Sequence, residues 1–324
     1  MRTVIAATLA TVALAGCQTQ GAPLASPQSA AAVAAAPPDY VTAICGQCHA
    51  VRDNAVSPNP QAPGFADIAN SPGVTRATLV TFVLRLADDH LVLGHRLSEW
   101  CGHAPMLEED LALPNIALDL IGQARSLYTY AGEVEGRGRD EDQIAYVRLE
   151  RDYHNLLLTE RPNGDFAHTI VRQLFFSVFM QAWWREAVKS TDETLAAIAA
   201  KAVKEAAYHV RHAAEWTIRL GDGTEESAHR MEEAVSALWP YTGEMFETDA
   251  VTEALAEAGI APDPSSLKAE WDKVIADVFA EALLSAPDEA WQQSGGRKGR
   301  HGEEMGYLLA DLQYIQRAYP DMTW

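Results

Sequence analysis

Basic residues are scarce in this 324-residue sequence, in which 25 Lys and Arg stand against 45 Asp and Glu for a formal net charge of −20. A nucleic-acid partner requires stripes of Lys and Arg along the phosphate backbone, so this balance argues against a nucleic-acid-binding function. Charged residues of either sign are nearly absent from the first 80 positions, and all eight tryptophans lie beyond them. This abrupt change in composition near residue 80 indicates two units of different origin.

The N-terminal apolar run from Thr3 to Ala15 is too short to cross a membrane and predicts an export signal instead. It ends in Leu-Ala-Gly before Cys17, which resembles the lipobox of bacterial lipoproteins and implies a lipid anchor on Cys17. An alanine-rich start with an incidental cysteine is the alternative. Residues 18–38 carry no charge and consist largely of Ala, Ser, Pro and Gln, so we expect a linker there.

Cysteine is used sparingly, but two of the four cysteines lie in the motif Cys45-Gly-Gln-Cys48-His49. Two thiols at this spacing can bond covalently to the vinyl groups of a haem, and the adjacent histidine can bind the iron, which predicts a haem c site. A redox-active or metal-binding pair of thiols is the alternative. The proline-rich stretch 58–65 resembles a loop of small class I c-type cytochromes.

Methionine is missing between His49 and Met106, although such cytochromes usually bind the iron with a methionine from a later loop. The C-terminal helix that closes their haem pocket is missing as well. Residues 39–80 are therefore interpreted as the front half of a cytochrome-like segment and not as a whole domain.

Polar and apolar residues do not alternate with a period of two beyond residue 76, which argues against β-strands. Apolar residues recur at helical spacing, and helices of about 20–28 residues with short connections predict an all-α bundle over residues 82–324. Pro114 is expected to kink the second helix, and Ser190–Glu193 is typical of a capping box at the start of the fifth. The predicted helices begin near Arg76 and then cover about 107–133, 141–159, 166–189 and 190–221, with one ending near 247 and two more at 263–286 and 303–319.

The motif Glu-x-x-His is nearly absent, although a di-iron carboxylate site requires it on two of four helices. Its one occurrence, Glu226 to His229, lies at the start of a helix instead of its middle. A single match is also expected by chance in a chain this rich in glutamate, so it does not indicate a metal site.

Two better-placed helical positions lack the histidine of that motif. Asp119 is followed three residues later by Gly122, and Glu205 by Tyr208, which makes these four positions a degenerate di-iron set. His209 comes one residue late, about 100° further round the helix. We therefore expect Asp119, Glu205 and His209 to join a buried polar network that binds no metal.

Four longer strings resemble the C-subunit family of bacterial phenylacetyl-CoA epoxidases from about residue 84 to the C-terminus. The resemblance implies a ferritin-like, cytoplasmic subunit without metal that pairs with a catalytic di-iron A subunit and works with a B subunit and a reductase. That assembly adds one oxygen atom to the aromatic ring of phenylacetyl-CoA, and this chain would not be catalytic by itself. The strings are Leu93–Pro105, Asp110–Arg125, Glu160–Ala167 and Lys204–His209.

The glycine-rich loop 294–302 is basic in an otherwise acidic chain, through Arg297, Lys298 and Arg300. Such a loop is suited to the phosphates of coenzyme A or to an acidic partner surface. A flexible, solvated connection is the alternative. The pair Trp183-Trp184 lies in an apolar helix, where core packing is the first interpretation and a partner interface the second.

Three functions remain open at this point. The first is a structural subunit of a cytosolic oxygenase, the second an exported haem-c electron-transfer lipoprotein, and the third a self-sufficient di-iron enzyme, which the missing histidines disfavour. The first two belong in different compartments, because haem c is attached outside the cytoplasm. A genuine fusion and an artefact that joins two reading frames both explain their presence in one chain.

Overall fold

The computed structural model describes residues 47, 50–51, 56–59, 73–287, 291–320 and 322. The chain divides into two units, 1–71 and 72–324, and the account below concerns the second. No β-strand occurs in the described ranges, which agrees with the all-α prediction. The α-helices found there are α1 (Arg76–Ser98), α2 (Leu107–Glu135), α3 (Glu141–Tyr146), α4 (Leu157–Glu160), α5 (Phe166–Ala187), α6 (Glu193–Gly221), α7 (Glu225–Leu238), α8 (Ala250–Glu257), α9 (Lys268–Glu281) and α10 (Glu303–Ala318).

Four long helices form a ferritin-like bundle, in which α1 packs along α2 and α5 packs along α6. Aromatic contacts join the two pairs, since the Phe82 and Trp183 rings lie 5.9 Å apart and the His90 and Phe176 rings 5.5 Å apart. Helix α5 is apolar on nearly every side and most of its residues are buried, so it lies at the centre of the core. Burial on all sides explains why its sequence shows little amphipathic pattern.

The predicted helix over 141–159 is wrong. Helix α3 ends at Tyr146, a 3₁₀ turn covers Glu150–Asp152, and α4 is a single turn from Leu157. Between these pieces the backbone is not helical, because its N–H groups donate hydrogen bonds to carboxylates from distant parts of the chain. Asp88 accepts from His154 at 2.7 Å, Asp89 from Leu156 at 2.7 Å, and Glu244 from Leu157 at 2.8 Å.

Other helix boundaries follow local chemistry. Asp192 caps α6 by accepting from the Leu195 backbone N–H at 2.8 Å, whereas the prediction placed a capping box from Ser190. Helix α7 ends at Leu238, earlier than predicted, because Pro240 follows and the chain continues in 3₁₀ turns. Pro264 begins a 3₁₀ turn that leads into α9, and α2 runs without interruption through Pro114. Helix α8 was not predicted.

No helix within the described part of the chain is long and apolar enough to span a membrane.

Candidate functional site

Three polar bridges connect α2 to α6 along the bundle. Glu109 accepts hydrogen bonds from the His212 ring at 2.8 Å and from the Trp216 indole N–H at 2.7 Å. Further along, His209 Nε2 lies 3.1 Å from Asp119 Oδ2. These contacts hold α2 and α6 side by side in antiparallel directions. Of the three residues expected in one buried network, Asp119 and His209 bond to each other, with 37% of the Asp119 side chain exposed, and Glu205 belongs to a separate contact.

Gln123 completes the third bridge by donating to Glu205 at 2.8 Å, and Lys201 lies 3.3 Å from the other oxygen of the same carboxylate. Asp119 and Glu205 thus bond to different side chains, in two neighbouring bridges. Sequence reasoning did not identify Gln123, which lies one residue after Gly122.

The two positions that lack histidine point away from the core. A side chain at Gly122 would meet no atom within 4 Å of its Cβ, and Tyr208 is 38% exposed. The Tyr208 ring lies at about the same distance from the rings of two histidines, 6.2 Å from His209 and 6.1 Å from His212. Histidines at positions 122 and 208 would therefore line the outer side of the bridges.

Each long helix also buries a polar side chain that makes no ion pair with an arginine: His90, Gln123, Gln173 and His209. His90 Nδ1 donates to the Leu86 carbonyl at 2.6 Å, whereas His90 Nε2 and both ends of the Gln173 amide have no hydrogen-bond partner among the described residues. Burial lowers the pKa of His90 to about 4, so the ring is neutral at physiological pH. The burial of His90 and Gln173 was not predicted either.

The inward donor set does not fit a di-iron carboxylate centre. Such a centre takes four carboxylates and two histidines that converge from four helices, whereas the buried carboxylates of α1 bond to arginines and that of α2 bonds to His212 and Trp216. Within the described ranges, no three His, Cys, Asp or Glu side chains come together as metal ligands do. Glu226 and His229 lie at the surface near the start of α7, where they bond to Arg230 and Glu233 respectively.

Comparison with known proteins places this bundle in a family. Residues 59–324 match the family described as phenylacetic acid catabolic protein. The chain belongs to this family. It is similar to the C subunit of 1,2-phenylacetyl-CoA epoxidase from Escherichia coli (strain K12), with 50% identity over 249 residues, which cover 76% of this chain and 99% of that protein. The resemblance expected from the sequence strings is therefore confirmed.

Arg297 of the basic loop bonds within the protein. Its guanidinium donates to both Asp89 oxygens, at 3.1 and 2.8 Å, and to the carbonyl oxygens of Arg85 and His154. Only 18% of its side chain is exposed. Lys298 and Arg300 are exposed, so of the three predicted contacts these two are accessible to a ligand or partner.

A second buried ion pair fixes the irregular segment after α3. Arg148 forms a bidentate pair with Asp88, which also accepts from Tyr128 at 2.5 Å. The Arg148 guanidinium lies 4.1 Å from the centre of the Tyr153 ring. Two carboxylates of α1, Asp88 and Asp89, therefore organise the chain between α3 and α5 and the basic loop together.

His301 closes the same region by bonding to Glu160 at 2.7 Å and to the Tyr153 carbonyl at 3.0 Å. Burial disfavours the charged form of His301, but the hydrogen bond and the charge of the Glu160 carboxylate outweigh burial. The pKa of His301 is therefore raised.

Trp183 and Trp184 are almost completely buried, with ring centres 4.8 Å apart in perpendicular planes. Core packing, the first interpretation, is therefore correct for both.

The N-terminal motifs lie outside the described residues. Cys17, Cys45, Cys48 and His49 are therefore not placed by the structure, and the family match begins after them, at residue 59. Lipidation of Cys17 and haem attachment at Cys45 and Cys48 stay predictions.

Proposed function

We propose that this chain is the non-catalytic structural subunit of a 1,2-phenylacetyl-CoA epoxidase in aerobic phenylacetate catabolism. The observation that carries the proposal is the 50% identity over 99% of the length of the E. coli protein. A match over nearly the whole of that protein includes its surfaces as well as its core. The chain therefore has partner subunits: a catalytic di-iron A subunit, with a B subunit and a reductase in the larger assembly.

The partners of the bundle's carboxylates support a non-catalytic role. Activation of oxygen by two irons requires facing carboxylates, whereas Asp119 and Glu205 each bond to a different side chain of this protein. The neutral His90 and the amides of Gln123 and Gln173 are buried within the bundle. The bundle is accordingly a scaffold that supports a catalytic partner of the same general fold. Because acyl-CoA thioesters are cytosolic, residues 82–324 would work in the cytoplasm.

Reconstitution tests this function directly. The full chain and the catalytic A subunit, purified separately, are mixed at micromolar concentration and run on a gel-filtration column. We expect co-elution, with iron carried by the A subunit and none bound stoichiometrically by this chain.

Turnover of phenylacetyl-CoA is then measured with a reductase present. We expect epoxidation when both subunits are present and none with this chain alone. Two irons per isolated chain, or turnover by the isolated chain, would disprove the non-catalytic role. Failure to co-elute would disprove the assignment as a subunit.

A further inference from the structure

The outward side of α2 exposes three leucines. Leu107, Leu111 and Leu118 are 69%, 58% and 67% exposed, and their spacing of four and seven residues places them on one side of the helix. Gly122 follows on the same side, with open space where a side chain would be. Exposed apolar residues in a row, next to a site that admits close approach, are typical of an interface.

Helix α6 exposes a row of cations beside this apolar row. Lys204, Arg211 and Arg219 are exposed, and within the described part of the chain no carboxylate oxygen lies within 4.0 Å of any of them. Glu215 stands between the two arginines in sequence without coming that close to either. On α9, by contrast, Lys268 is paired with Asp272 at 2.7 Å and Lys273 with Asp277 at 2.5 Å. Unpaired cations are unexpected in a chain of net charge −20.

Aromatic rings hold two of these cations in place. The Arg211 guanidinium lies 5.5 Å from the centre of the Tyr208 ring, and the Arg219 guanidinium 5.4 Å from that of Trp216. Stacking limits the rotamers of an arginine and leaves its N–H groups free to bind a carboxylate from another molecule. These side chains therefore lose less conformational entropy on binding than free arginines do.

The three bridges between α2 and α6 place both rows on the same side of the bundle. They connect position 109 to 212, 119 to 209, and 123 to 205, so the two helices lie side by side and their solvent-facing sides form one surface. We define the α2–α6 face as Leu107, Leu111, Leu118 and Gly122 of α2 together with Lys204, Tyr208, Arg211 and Arg219 of α6.

We propose that the α2–α6 face docks the catalytic subunit through a helical surface that carries an apolar row beside an acidic row. This inference rests on the proposed function and adds the place and chemistry of the contact. A second copy of this chain fits less well, because a two-fold contact would bring Lys204 and Arg211 of both copies into one interface. Carboxylates of a different protein would neutralise these cations, which favours fast and specific association.

Charge reversal tests the face. The full chain carrying K204E and R211E is compared with wild type for binding to the catalytic subunit by calorimetry, with circular dichroism as the check on folding. The matched control, K268E with K273E, makes the same change of charge on α9. We expect the dissociation constant to rise about 100-fold or more for the α6 variant, and about threefold or less for the control.

Salt dependence separates docking from a structural effect. The wild-type dissociation constant should rise between 50 and 300 mM NaCl on the order of tenfold, and the α6 variant should show a shallower slope. Binding by wild type with no effect of K204E and R211E overturns the proposed face alone. No binding by wild type overturns the proposed function as well. Self-association of wild type that the α6 variant abolishes would assign the face to a second copy.

Discussion

At the scale of single residues, two buried carboxylates of α1 hold distant parts of the chain in place. Asp88 and Asp89 are fully buried, and each pairs with an arginine from a distant part of the chain, Arg148 and Arg297 respectively. Each also accepts a backbone N–H from the segment after α3. Removal of one partner from such a pair leaves a buried charge without compensation, which is more damaging than the loss of a surface pair.

Asp88→Asn is expected to lower the free energy of unfolding by about 3–5 kcal/mol, because Arg148 remains buried without a counter-charge. Urea denaturation followed by circular dichroism measures the change. Asp272→Asn is the control, since it removes one partner of the exposed pair with Lys268 and should change stability by less than about 1 kcal/mol. Equal effects of the two substitutions would contradict this account of the buried pair.

His90 makes stability depend on pH. Its folded pKa of about 4 lies below the usual value of 6.5, so the unfolded chain binds the proton first as the pH falls. The contribution of neutral His90 to the free energy of unfolding is fully present above pH 6.5. It is lost between pH 6.5 and about 4, at about 1.4 kcal/mol per pH unit. We expect His90→Gln to flatten the curve of unfolding free energy against pH in this range. An unchanged slope would show that His90 does not titrate in this way.

At the scale of elements, the basic loop is held by close backbone contact. Gly299 adopts φ +66°, and a methyl group there would collide with the Arg151 carbonyl oxygen. The loop therefore packs directly on the irregular segment after α3. Gly138 has a similar φ of +73° but nothing within 4 Å of a Cβ.

These two glycines form a matched pair for a test of that contact. Either substitution by alanine costs about 1 kcal/mol for the left-handed backbone, and Gly299→Ala should cost about 1–3 kcal/mol more because the loop must shift. Thermal and urea unfolding of both variants measure the difference. If the two variants have the same stability, the loop is not packed as closely as the structure indicates.

At the scale of the whole molecule, the chain is longer than the family requires. The family match begins at residue 59, and the E. coli protein is covered over 99% of its own length by 249 residues of this chain. The first 58 residues therefore have no counterpart in the family match.

A chain that starts at residue 59 is expected to bind the catalytic subunit with the same affinity as the full chain. Its unfolding midpoint in urea should also be unchanged, because the helices from Arg76 onward form their own core. Calorimetric titration and circular dichroism measure the two quantities. Weaker binding by the shortened chain would show that residues 1–58 contribute to assembly.

The sequence by itself determined the helical class, the position of the long helices and the burial of α5, because these depend on local periodicity and on apolar composition. It also determined that the di-iron ligand pattern is incomplete, since ligand spacing is read directly along a helix. Four strings of residues within the bundle were enough to indicate the family.

Only the tertiary structure decided the course of residues 147–157 and the role of Arg297. Residues 147–157 depend on carboxylates of α1 some 60 positions away in sequence, and Arg297 depends on one some 210 positions away. No local pattern in the sequence shows that such distant groups will accept backbone N–H bonds in place of helical carbonyls. The outward direction of Gly122 and Tyr208 was decided in the same way, because the side of α2 that faces α6 depends on how the two helices pack.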